Sequence, residues 1–131
     1  MDIEDEIKVF VYGTLMKGEA NHDLIMNNAK YEGKYRTDNR WGLINIGAFP
    51  ALVPHVLEVE GEVYTIDAET LAKIDRLEGY NSETEHGMYV RRWIRVYSED
   101  DDSEDIVQTY MCGKITGNLT PKKRRWSDFN V

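Results

Sequence analysis

The chain has 131 residues, 41% of them hydrophobic, and a formal net charge of −8 from 16 basic and 24 acidic side chains. That length fits one domain with a single core that needs no covalent staples, and that hydrophobic content excludes a disordered chain. The acidic balance argues against a nucleic-acid binder, a lone cysteine leaves no internal disulfide or cysteine-based zinc site, and no run of 18 apolar residues could span a membrane.

The opening residues, MDIEDEIKVF, lack the basic and apolar regions of a signal peptide, so a soluble, cytoplasmic chain is expected. Residues 7–12 (IKVFVY) form a short apolar run rich in β-branched and aromatic side chains, which predicts a strand covered on both faces. The run breaks at Gly13, Thr14 and Leu15, with Gly18 close behind. A strand entering a small-residue turn presents backbone N–H groups that can cradle a carboxylate or other anion; it can equally be a turn and nothing more. Asn21 stands where it would cap a helix reaching about Ala29, with His22, Ile25, Met26 and Ala29 on one face. No His or Cys lies at metal-ligand spacing from His22, which is read as a hydrogen-bonded residue at the core edge.

From Tyr31 onward strand signals dominate. Residues 31–37 alternate roughly, Asp38, Asn39 and Arg40 mark a turn before Trp41 to Ile44, and residues 47–50 (GAFP) loop into Ala51, Leu52 and Val53, which Pro54 ends. Leu57, Val59, Val63 and Thr65 alternate with Glu58, Glu60, Glu62 and Tyr64, which predicts a half-exposed strand, bulged or bent at Gly61.

Residues 67–80 (DAETLAKIDRLEGY) predict a short helix, with Asp67 as N-cap, Glu69 in the first turn and Gly79 as the stop. Leu71 and Ile74 define its apolar stripe, and the next position on that stripe is Glu78. Burial and the negative end of the helix dipole would both favour the protonated carboxyl and raise its pKa toward neutrality, as proton transfer requires. The other reading has Glu78 swinging into solvent from a frayed last turn while Leu77 serves the core.

A loop over residues 81–87 leads to a predicted hairpin of residues 88–97 and 106–111. The connecting run 98–105 (SEDDDSED) reads as a solvated turn, because like charges repel and stay wet. Cys112 reads as a small core filler, with a nucleophile partnered by His22, His55 or His86 as the alternative. The basic cluster Lys122, Lys123, Arg124 and Arg125 is expected to pair with the acidic surface, and Trp126 and Phe129 to dock the tail. Many short strands, two short helices and bending glycines predict one α+β domain over residues 1–131, built on a small mixed β-barrel.

Six segments carry a resemblance: Phe10-Val11-Tyr12-Gly13-Thr14-Leu15; Asn21-His22; Phe49-Pro50-Ala51-Leu52-Val53; Glu60-Gly61-Glu62-Val63-Tyr64; Ile74-Asp75-Arg76-Leu77-Glu78-Gly79-Tyr80; and Met88-Tyr89-Val90-Arg91. In this order, from about residue 8 to 111, they resemble the γ-glutamylcyclotransferase-like superfamily, nearest its compact γ-glutamylamine cyclotransferase branch. The resemblance implies a barrel of about five to six strands with flanking short helices, and an enzyme that needs no cofactor or metal. It implies a small-molecule γ-glutamyl-amine substrate, bound through the backbone of Tyr12, Gly13, Thr14 and Leu15 and enclosed by Tyr89, with Glu78 as catalytic acid/base. The acidic hairpin and basic tail match no substrate-defining element of that family, so the leaving amine is unassigned, as is the oligomeric state. Two other readings compete: a non-catalytic module for a small carboxylated ligand, and an interaction protein working through its charged hairpin or tail.

Overall fold

The first apolar run becomes β1 (Ile7–Val11) in the computed structural model, which describes residues 6–46, 50–113 and 123–129. Period-two alternation sends Phe10 into one core cluster with Val63, Ile94, Val96 and Val107, and Val9 and Val11 into another with Ile66 and Ile74. Both faces of β1 are therefore covered, as its continuous apolar run predicts.

Four further strands complete the barrel: β2 (Lys30–Thr37), β5 (Glu60–Ile66), β8 (Tyr89–Ser98) and β9 (Glu104–Cys112). Their order is β1-β5-β2-β8-β9, antiparallel at every seam but the last, where β9 runs parallel to β1 through Val9 opposite Gln108 and Phe10 opposite Thr109. The fold is thus a closed, mixed five-strand α+β barrel. β3 (Trp41–Asn45) and β4 (Pro50–Pro54) form a separate hairpin, and β6 (Tyr80–Asn81) and β7 (His86–Gly87) a minimal one where a plain loop was expected. The segment 47–49 of the expected GAFP loop lies outside the described residues.

The structure corrects several sequence expectations. α1 (His22–Ile25) spans four residues, far short of Ala29, and no side-chain cap bond starts it. β5 is not half-exposed: it lies between β1 and β2, so Glu62 and Tyr64 are buried along with Val63. Gly61 marks close approach, since a Cβ there would stand 2.4 Å from the Val11 carbonyl oxygen. The register shift falls on the neighbouring strand instead, between Tyr31 and Gly33. Leu77, read as a core residue, is exposed, because α2 (Ala68–Leu77) buries Thr70 and Ile74 on its inner face.

Both charged elements are more than solvated surface. Arg36 of β2 reaches Glu99 at 2.7 Å, Asp102 at 2.6 Å and Glu58 at 3.5 Å, tying the acidic hairpin turn back to the barrel. In the tail, Arg125 meets Glu60 at 2.6 Å, and the Lys123 N–H donates to the Leu43 carbonyl at 2.9 Å, docking that segment beside β3. Trp126, which opens the 3-10 turn Trp126–Phe129, is buried, and Phe129 packs on the core. Lys122 lies outside the described residues. No helix among the described residues is long and apolar enough to cross a membrane.

Candidate active site

The chain leaves β1 at Val11 and turns at Tyr12, a buried residue whose hydroxyl donates to the Tyr110 carbonyl and accepts the Leu52 N–H at 3.2 Å. One phenol thus joins the end of β1 to β4 and β9. Gly13 follows under the Pro50 ring, whose Cγ would lie 2.7 Å from any Cβ at position 13. That contact requires glycine. Among the described residues, no backbone carbonyl outside the regular helix and strand bonds takes the Gly13, Thr14 or Leu15 N–H.

The loop's shape is held from behind. The Asn21 side chain donates to Thr14 Oγ1 at 2.9 Å, its backbone N–H donates to the Thr14 carbonyl at 2.9 Å, and His22 Nδ1 lies 2.9 Å from the Leu15 carbonyl. A carbonyl only accepts, so His22 carries its proton on Nδ1. Further on, the Lys17 N–H donates to buried Glu62 at 2.9 Å, and the Tyr64 hydroxyl donates to the same oxygen at 2.9 Å. Asn21 was expected to cap a helix and His22 to sit structurally at the core edge. Here both brace the loop, a role that sequence spacing does not reveal because it depends on the chain folding back.

Opposite this loop stands the end of α2. Asp67 caps the helix by accepting the Thr70 N–H at 2.7 Å, and Gly79 at φ +68° ends it. Glu78 is the C-cap residue and is partly buried. Withdrawal from water pushes its carboxyl up from 4.5 to about 7, with no hydrogen bond or cation among the described residues to hold it down. The partial burial of Glu78 and its place in the lining of the cleft, not its pKa, set aside the solvent-facing alternative.

Tyr89, at the start of β8, donates its hydroxyl to the Pro50 carbonyl at 2.6 Å and so fastens the β3–β4 hairpin beside the cleft. Burial, with the Glu78 carboxylate adding to it, raises the Tyr89 phenol well above its usual value, and it stays a neutral donor. Tyr12 is raised in the same way, by burial first and then by Tyr89 and Glu78.

These residues share one cleft, lined by Phe10, Val11, Tyr12, Gly13, Thr14, Leu15, Pro50, Glu78, Tyr89 and Tyr110. All six residues expected at the site are among them. Tyr110 was missed, since an aromatic residue in the middle of an ordinary strand carries no local signal. Neither Cys112 nor any histidine lines the cleft; Cys112 is half-buried opposite Tyr89 and packs on the core. Among the described residues, no group of three His, Cys, Asp or Glu side chains could hold a metal ion.

The cleft sets the Glu78 carboxyl, its pKa raised by burial, beside the turn of residues 13–15. Residues 9–128 match the family model described as "Gamma-glutamyl cyclotransferase, AIG2-like". A Vibrio cholerae protein provisionally named a gamma-glutamylcyclotransferase is 39% identical over 105 residues, covering 77% of this chain and 90% of its own. The gamma-glutamylcyclotransferase family protein YtfP of Escherichia coli K12 is 33% identical over 112 residues, covering 79% and 93%. Among solved structures, an AIG2-like protein from Mus musculus superposes with a TM-score of 0.80 at 23% identity, covering 93% of this chain and 88% of the other, which speaks to the fold. The chain belongs to the AIG2-like gamma-glutamyl cyclotransferase family.

Proposed function

We propose that the protein acts on a γ-glutamyl-amine, releasing 5-oxoproline and a free amine, with Glu78 as the general acid/base. The observation that carries this reading is the desolvated Glu78 carboxyl sharing a cleft with the turn of Gly13, Thr14 and Leu15. A γ-glutamyl group brings its own nucleophile. Its α-nitrogen attacks the γ-carbonyl carbon, the carbon–nitrogen bond to the amine breaks, and a five-membered lactam remains. Holding the two reacting atoms in line can contribute roughly 7–11 kcal/mol, so no nucleophilic side chain is needed.

Three tasks fall to the protein. The amides of residues 13–15 bind the substrate α-carboxylate. Glu78 as carboxylate takes a proton from the α-ammonium, freeing the lone pair for attack. Glu78 as acid then gives that proton to the departing nitrogen. The α-nitrogen loses two protons in all and the leaving amine gains two, so Glu78 relays twice per turnover. A group with a pKa near 7 populates both forms at neutral pH, which suits a relay. Tyr12 and Tyr89, both neutral and both committed to backbone carbonyls, wall the cleft and keep water from competing.

The test is a panel of γ-glutamyl-amines incubated with wild type and with Glu78→Gln, with 5-oxoproline measured directly. Wild type is expected to release it and Glu78→Gln to lose at least about 100-fold in kcat, in line with removal of an acid/base. Turnover by Glu78→Gln at the wild-type rate would remove Glu78 from the mechanism. Binding of the panel by wild type with no 5-oxoproline would favour the non-catalytic module.

A further inference from the structure

We infer that Asp75, Tyr110 and Arg91 form a positioning clamp that sets where Glu78 stands relative to the amides of residues 13–15, an inference that rests on Glu78 being the acid/base. Asp75 precedes Glu78 by three residues, so both lie on one side of the helix end. The Asp75 carboxylate accepts the Tyr110 hydroxyl and stands 3.6 Å from Arg91 Nε. Side-chain exposure is only 13% for Asp75 and 15% for Arg91, and Tyr110 is buried.

Arg91 and Tyr110 face each other directly across the β8–β9 seam and thus form one rigid platform. That platform grips the Glu78 segment on both sides. Asp75 is held before it, and after it the Tyr80 ring lies under the Arg91 guanidinium, 5.4 Å from carbon to centroid. Tyr110 also reaches the other wall of the cleft, because its carbonyl accepts the hydroxyl of Tyr12, where the amide turn begins. Base and anion cradle are therefore spaced through a single residue. A last helical turn frays when left to itself. A buried ion pair of this kind adds little stability over a well-packed apolar pair; what it fixes is geometry.

Tyr110→Phe, Asp75→Asn and their double variant are assayed for 5-oxoproline beside Glu78→Gln, at a temperature where circular dichroism shows each one folded. The clamp predicts a loss in kcat of about 10- to 100-fold, the scale that a displacement of about 1 Å brings, with KM changed by no more than about twofold. The double variant should be no slower than the worse single, because both break the same contact. A purely structural role would lower the melting temperature and leave kcat at the wild-type value; that result overturns the clamp, as does an additive loss in the double variant. Arg91→Lys decides the matter should Tyr110→Phe not fold, since it keeps the charge but loses the planar stack. Wild-type kcat in Arg91→Lys refutes the clamp, and a comparable loss supports it. An active Glu78→Gln would instead overturn the acid/base reading, whereas an inactive Glu78→Gln beside fully active clamp variants sinks the clamp alone.

Discussion

Glu78 carries its charge reluctantly, and that reluctance can be read in both rate and stability. Only the carboxylate accepts a proton, so kcat/KM is expected to rise with pH through about 7, the raised value, and not near 4.5, the ordinary one. A pH-rate profile whose acid limb falls near 4.5 would contradict this. The stability sign follows from the same shift. Between pH 4.5 and about 7 the folded protein holds a proton the unfolded chain has lost, so Glu78 lowers stability as pH rises across that window. The penalty is absent below the window and complete above it. Glu78→Gln should therefore be more stable than wild type above pH 7, by about 1–2 kcal/mol after discounting for partial contact with water, with no gain at pH 4. Urea titrations at the two pH values check it; equal gains at both would refute it. At this scale the sequence was legible for Glu78, since a carboxyl on the stripe of Leu71 and Ile74 announces its own burial. It was not legible for Tyr110, whose importance lies wholly in what folds against it.

At the scale of elements, α2 was readable because its signals are local: an aspartate cap, an apolar stripe and a glycine stop. The glycine makes the sharpest test. Gly79 sits at φ +68°, where a Cβ meets only ordinary contact with Met88, so the cost of Gly79→Ala is conformational. Unfolding should show a loss of about 1–2 kcal/mol, and Gly79→Asn, which tolerates that backbone region better, should lose less. Equal stability of Gly79→Ala and wild type would show that the helix end has no need of that conformation. β5 and α1 misled for the opposite reason. The glutamates of β5 imitate a solvated face, yet Glu62 is buried because the loop after β1 brings its Lys17 N–H to the carboxylate. Asn21 imitates a helix cap, yet its amide turns back to Thr14. In both cases a polar side chain found a partner well outside its own element, which a local pattern cannot specify.

For the whole molecule, closure of the barrel decides whether the cleft exists, because β1 and β5 must meet closely just where the amide turn begins. Gly61 is the point of contact. A Cβ there would stand 2.4 Å from the Val11 carbonyl oxygen and 2.7 Å from the Phe10 ring, and a backbone oxygen in a ladder has nowhere to go. Gly61→Ala is expected to cost about 2–3 kcal/mol, the upper range for overpacking, and to lower activity with it. A melting temperature equal to wild type would show that the strands separate there at little cost. By itself, the sequence determined the elements whose causes are local: the apolar first strand and the turn that ends it, the capped helix delivering Glu78, and the acidic hairpin. It also carried enough ordered motifs to mark the family and to name the residues now found around one cleft. Tertiary structure alone decided that β9 returns parallel to β1, that Asn21 and His22 brace the turn, and that Tyr110 touches both walls. The β9 and Tyr110 contacts join residues far apart in the chain, and the bracing contacts join residues seven apart in different turns. The energy that selects them therefore appears only once the chain has folded back on itself.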